Sequence, residues 1–291
     1  MRAFLTSFKK RGLYTLCVLS VALLTASPTA AQPSDKGNLP LLFDARERLA
    51  MPDLSAVQRV RFLTTVDFPP FNFADQAGRL SGFHVDLARE ICAELKIEAK
   101  CQIQAMPFAD LQPALLASTG DAVMAGVAVS ADLRRQFDFS RPFLALPARF
   151  VRNLKTPVGG GTAASLSGLA VGVVGGTAHE AMLKAYFPQI KATAFDSDAA
   201  MLEAVRSGAV AAGFADGLRL SFWASSAAAQ SCCALFDGPY LSEHFLGEGL
   251  TIMVRKNDVA LAQAFDHALA ALSRNGRLQE IYLRYFPYGL Y

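Results

Sequence analysis

The sequence predicts an α/β protein built on mainly parallel sheet, and three observations carry that prediction. Short apolar runs alternate with amphipathic stretches from Val60 to Val129. The same alternation restarts at Leu169 and continues to Asp216. A final apolar run and two helical stretches follow from Leu250 onward. This order is what a sheet with helices on its faces requires. It gives two α/β units of about a hundred residues each, an ordinary domain size, the second set in before the last strand and helices.

The elements follow in order. Residues 32–57 are rich in Pro, Asp and Ser and predict an extension over the surface or a linker. "VRFLTT" is a short apolar strand, and "DFPPFNF" is an aromatic turn held by prolines. "GFHVDLAREICAELKI" is a helix, because Leu87, Ile91 and Leu95 recur every four residues opposite Arg89 and Glu90. "KCQIQAM" is a strand, "FADLQPALLASTG" a helix stopped by Gly120, and "DAVMAGVAV" a buried strand. In the second unit, "LAVGVVGG" is a strand running into glycines and "TAHEAMLKAYF" the helix that starts there. "DAAMLEAVRSG" is a helix closed by Gly208, and "AVAAGFAD" a strand ending on Asp216. "LTIMVRK" is the returning strand; Asp258 caps the next helix, Gly276 stops it, and "RLQEIYLRYF" forms a last short one. Ligands of such sheets settle beyond the carboxyl ends of strands. Phe68, Ala125 to Ala128, Thr177 and Asp216 fall at those ends.

Composition narrows the function. Residues 1–31 read as a cleavable export signal: Arg2, Lys9, Lys10 and Arg11 precede the apolar run "LYTLCVLSVALLTA", and "SPTAAQ" supplies small residues for cleavage. That run has 14 residues, short of the ~20 a membrane span needs. Taking its four cations from 28 leaves 24 against 25 acidic residues, so the exported chain carries about −1. A near-neutral chain without a basic cluster excludes nucleic acid as partner. Export also exposes the four remaining cysteines to an oxidising compartment. Cys92 late in a helix and Cys101 at the next strand predict a bridge; Cys232 and Cys233 leave open a vicinal bridge, free thiols or other pairing. His84, His179, His244 and His267 show no paired-ligand spacing, and no metal or cofactor is expected.

The segments "DFPPFNF", "GFHVDLA", "FDFSRPF", "VGVVGGTAHE", "AVRSGAVAAGFAD", "GEGLTIMVRKND" and "NGRLQEIYLRYFP" come in an order that resembles a known family. It is that of the periplasmic solute-binding proteins of polar-amino-acid ABC importers, the two-lobed family 3 receptors. The resemblance covers about residues 59–287, nearly the whole exported chain. It implies a type II periplasmic binding fold: two α/β lobes, a hinge and a ligand cleft between them. Lobe one would comprise 58–145 and 249–291, and lobe two 146–248. The protein would be a periplasmic monomer capturing an amino acid or related small polar solute for an inner-membrane ABC permease.

The resemblance also implies site residues. Phe68 matches the aromatic that stacks on the ligand, while Phe71 and Phe73 fill core. Phe108 matches an aromatic lining the pocket. Ala125, Gly126 and Ala128 stand where the family offers hydroxyls, so only backbone remains there. Thr177 matches the residue whose backbone N–H helps hold a carboxylate at a helix start. His179 falls at a polar pocket position, and Asp216 matches the acid that takes the ligand's ammonium. One departure is sharp. The family's carboxylate-binding arginine should lie six residues before Phe139, where this chain has Leu133, with Arg134 one step on. One helical residue turns a side chain by ~100°, so either a shifted turn restores Arg134 as the clamp or the ligand lacks an α-carboxylate there. Two other readings stand beside the importer receptor. One is a sensory or accessory receptor; the other is an enzyme like the cyclohexadienyl dehydratases, which use cations for two carboxylates and an acid for the leaving group.

Overall fold

In this computed structural model, residues 39, 42–44, 46–287, 289 and 290 are described. The export signal expected over 1–31 lies outside them. The first sheet draws on β1 (Val60–Thr64), β5 (Cys101–Ala105), β6 (Ala122–Val123), β7 (Phe137–Phe139) and β13 (Met253–Arg255), in the order β5-β1-β6-β13-β7. The second draws on β8 (Ala148–Asn153), β9 (Ala170–Val174), β10 (Lys191–Phe195), β11 (Ala212–Asp216) and β12 (Cys233–Leu235), in the order β10-β9-β11-β8-β12. β1 runs parallel to both β5 and β6, and β9 parallel to both β10 and β11. A single strand in each sheet is reversed: β13 in the first and β8 in the second, each antiparallel to both neighbours. Those two are the strands by which the chain enters a sheet after leaving the other. Every other connection is a local crossover, which delivers strands in one direction.

Helices α1 (Phe83–Glu94), α8 (Val259–Arg274) and α9 (Arg277–Tyr285) bury their apolar faces in the first core, around Leu87, Ile91, Phe265, Leu269 and Tyr282. Two short helices, α2 (Leu111–Leu116) and α3 (Ala131–Gln136), stand on the same sheet. α2 is shorter than its sequence predicts because a 3-10 turn at Phe108–Asp110 precedes it and the chain turns at Ser118, where φ is 56°. The strand predicted over "DAVMAGVAV" pairs only at Ala122–Val123, since Gly126 turns the chain away at φ 73°. Around the second sheet lie α4 (Ala178–Tyr186), α5 (Asp198–Ser207), α6 (Gly217–Ala224) and α7 (Glu243–Leu246). Gly208 closes α5 in the left-handed conformation, as its sequence demands. Asp258 opens α8 without capping it, because its carboxylate is drawn to Arg255 (3.1 Å).

Periodicity did not reveal the small antiparallel sheet of β2 (Asp67–Phe68), β3 (Asn72–Ala74) and β4 (Leu80–Ser81). Its strands are too short to show alternation. Phe71 there is fully buried, whereas Phe73 is only half-buried and not core. The described part of 32–57 is a strap on the first core. Phe43 and Leu54 are buried in it, and Leu49 O accepts a hydrogen bond from His267 Nδ1 (2.7 Å). Glu47 takes both arms of Arg141 (2.6 and 2.8 Å).

Cys92 and Cys101 are joined, with Cα atoms 6.4 Å apart and a sequence separation of 9. The bond ties the end of α1 to the start of β5. Replacing both by alanine is expected to lower stability by about 2–3 kcal/mol through the freedom returned to the unfolded chain. Urea unfolding with unchanged midpoint would sink that account. Cys232 and Cys233 are bonded to each other.

Two segments run between the sheets, and they touch. Leu144 bridges Leu250 antiparallel, and Leu250 N donates to Leu144 O at 2.7 Å. Gly249 lies there at φ 110°; a Cβ on it would meet Leu144 O at 2.7 Å, so only glycine fits.

Candidate functional site

The small β2–β4 sheet that follows β1 contributes a ring on a rigid base. β1 ends at Thr64, whose hydroxyl donates to Met124 O (2.8 Å) and so fixes the Gly126 turn beside the strand end. The chain then reaches Phe68, and Phe71 N donates back to Phe68 O (2.8 Å). Phe68 is half-buried and stacks on buried Phe71, with centroids 4.8 Å apart and planes 25° from parallel. Behind Phe71 lies the His84 ring (4.9 Å). Asn72 Nδ2 donates to Thr65 Oγ1 (2.7 Å), leaving its Oδ1 to accept from His84 Nδ1 (2.8 Å). That assigns the proton to Nδ1, while Nε2 is buried without a partner. Burial therefore pushes the imidazole down to about 3, because a second proton would be a desolvated charge with no acceptor.

The Phe68 ring lies directly over Gly126. A Cβ at Gly126 would stand 2.7 Å from Phe68 Cε1, in a left-handed backbone that disfavours side chains. Gly126→Ala is expected to cost about 1–2 kcal/mol of stability and to displace the ring. Thermal melts with ligand titration check this; a variant that melts and binds as the wild type does would show that the ring has room to yield. Ala125 beside it is 5% exposed and belongs to the core with Leu63 and Leu111, so its side chain faces away from any ligand. Ala128 is exposed, as is Phe108.

The second sheet contributes a carboxylate. β11 ends on Asp216, which caps α6: Oδ1 accepts from Arg219 N at 2.9 Å. Burial pushes the Asp216 carboxyl above its ordinary range, against the pull of that N–H and of nearby His179. Arg219 does not neutralise it, being paired with Asp198 (2.8 Å). His179, half-buried in the first turn of α4, is pushed down by burial while Asp216 draws it up. Thr177 caps α4, its hydroxyl accepting from Glu180 N (3.2 Å), while Glu180 Oε2 accepts from Gly176 N (2.7 Å), one residue before the cap.

α3 settles the question of the shifted turn. Ser130 caps it, accepting from Leu133 N (3.2 Å), and its six residues run without a shift. Leu133 packs against the first-sheet core. Arg134 points elsewhere: its guanidinium stands over the Phe139 ring (5.5 Å) and pairs with Glu248 from the second inter-sheet segment. Sequence reasoning did not find Glu248 or the His84–Asn72–Thr65 cluster. The glycines on both sides of Glu248 were the one available signal for the former. Among the described residues no group of three metal-ligating side chains converges, and no helix is long and apolar enough to cross a membrane.

Two sheets joined by paired crossovers, with an aromatic ring from the small sheet after β1 and a carboxylate at the end of β11, have the architecture of a two-lobed solute-binding protein. The chain belongs to the bacterial extracellular solute-binding proteins, family 3, whose pattern matches residues 60–288. It is similar to the L-arginine-binding protein of Pseudomonas aeruginosa, at 30% identity over 250 residues, 84% of this chain and 93% of that one. A solved periplasmic binding protein of Salmonella typhimurium, described for high arginine specificity, is 26% identical with a TM-score of 0.50, covering 79% of this chain and 100% of that one. An ancestral cyclohexadienyl dehydratase shares the fold, with a TM-score of 0.63 at 18% identity, over 83% and 98% of the two chains.

Proposed function

We propose that this chain is the periplasmic receptor of an ABC importer for an amino acid, exported as a monomer after loss of residues 1–31. Asp216 carries the reading: a half-buried carboxylate at a strand end, capped by backbone but not neutralised by Arg219, suits an ammonium group. Phe68 supports the ligand's side chain over the Gly126 backbone. With no shifted turn in α3, Arg134 reaches the ligand's carboxylate through its long, exposed side chain and not from the helix face the family's arginine uses. Thr177 and His179 line the second-sheet wall, and Phe108 and Ala128 the rim of the first. A guanidinium stacks well on a ring, and three of the similar proteins are named for arginine, others for histidine; this supports L-arginine as the first candidate to test. The partner is an inner-membrane permease. The reading is of a binder and not an enzyme, since dehydratase chemistry asks for several free cations and a poised acid. Here Arg134 is the one cation the reading offers to a carboxylate, and the turn at Ala125–Ala128 offers no hydroxyl.

Thermal unfolding of the mature protein, stripped of carried-over ligand, tests this against the amino acids. A ligand at a hundred times its Kd adds ~2.7 kcal/mol, a rise of several degrees. Silence from every amino acid would reject the reading.

A further inference from the structure

We infer that Glu248 is an internal stand-in for the ligand's carboxylate, holding Arg134 and the second crossover until an amino acid displaces it. The inference rests on the reading of Arg134 as the carboxylate site. The Arg134–Glu248 pair joins residues 114 positions apart, one on α3 and the other in the crossover leading to β13. Phe139 backs the guanidinium plane, leaving its edge for a carboxylate. Neighbouring cations are committed elsewhere: Arg135 to Asp132, and Lys256 to Asp138 (2.6 Å). Arg134 is therefore the cation of this turn whose partner comes from outside the lobe.

Exposure makes the pair exchangeable. The two side chains are 47% and 40% exposed, so water screens their attraction and little is lost when one carboxylate replaces another. Position makes the exchange consequential. Glu248 is flanked by Gly247 at φ 79° and Gly249 at φ 110°, next to the Leu144–Leu250 bridge where the crossovers meet. Hinges absorb their rotation at a few such positions. With Glu248 on Arg134 the second crossover is tied to lobe one. When a ligand carboxylate takes the guanidinium, Glu248 is released and the glycines on either side are free to turn. By reciprocity the tie must weaken binding of any carboxylate ligand, and only of those.

Titration calorimetry of the wild type and Glu248→Gln, with L-arginine and with agmatine, tests this. Agmatine keeps the guanidinium and lacks the carboxylate. The variant is expected to bind L-arginine about two- to five-fold more tightly at low salt, with the gain shrinking as salt rises and with agmatine unchanged. In an Arg134→Ala background the same substitution should alter neither affinity. Equal or weaker L-arginine binding by Glu248→Gln, with the wild type binding normally, overturns the inference alone. A parallel gain for agmatine also overturns it, since the competitor would then not be for a carboxylate. If neither protein binds any amino acid, the receptor reading has failed and the inference with it.

Discussion

Asp216→Asn is expected to abolish amino-acid binding while leaving the ligand-free protein at least as stable at neutral pH. The cap is kept, because asparagine accepts the Arg219 N–H as well as aspartate does. What disappears is the charge. Removing one partner of a desolvated charged pair costs about 2–5 kcal/mol, roughly thirty- to several-thousand-fold in Kd. The stability side follows from the direction of the shift. Burial raises the folded carboxyl above its ordinary value of 3.8, so the folded state holds this proton more tightly than the unfolded chain does. Its contribution to stability is thus present at low pH and lost as pH rises through the folded value. At neutral pH the ionised group is a liability that its backbone cap, His179 and Arg219 offset in part and a ligand's ammonium offsets further. Calorimetry and melting curves at pH 7 read both halves. Retained affinity would remove Asp216 from the site, and a large drop in Tm would make it structural. Asp216→Ala is the poorer probe, since it also loses the cap, at about 1 kcal/mol.

Acid should unfold this protein through His84. Its folded value of about 3 lies far below the ordinary 6.5, so the neutral form is favoured by folding. Stability from this group is complete above pH 6.5 and is lost as pH falls toward 3. The whole loss is roughly 4–5 kcal/mol, with about 2 kcal/mol gone by pH 5. His84→Asn keeps a donor for Asn72 and removes the titration. It should be less stable than the wild type at pH 7.5, and the gap should close as pH falls. Parallel curves of unfolding free energy against pH would show that His84 does not govern acid sensitivity. Because the His84 ring packs behind Phe71, on which Phe68 stacks, loss of that ring in the variant should also loosen the platform.

Much of the architecture was legible because each lobe is built from local repeats. The four-residue spacing in Leu87, Ile91 and Leu95, the stop at Gly208 and the strand ending on Asp216 each depend on neighbours a few residues away. The β2–β4 sheet escaped notice because strands of 2 or 3 residues carry no period to read. The strap escaped for a different reason. Phe43 and Leu54 are isolated apolar residues in a polar stretch, and only the core they enter explains them.

The site divides the same way. By itself the sequence determined two α/β units, a ring after a strand, an acid at another strand's end and a leucine where an arginine was expected. All of these are properties of local order. Only the tertiary structure decided that Leu133 goes to the core while Arg134 meets Glu248, a partner 114 residues distant. It also decided that Phe68 lies on Gly126 and that His84 is neutral behind it. Such choices depend on desolvation and on which charges meet across the fold, and no periodicity along the chain records either.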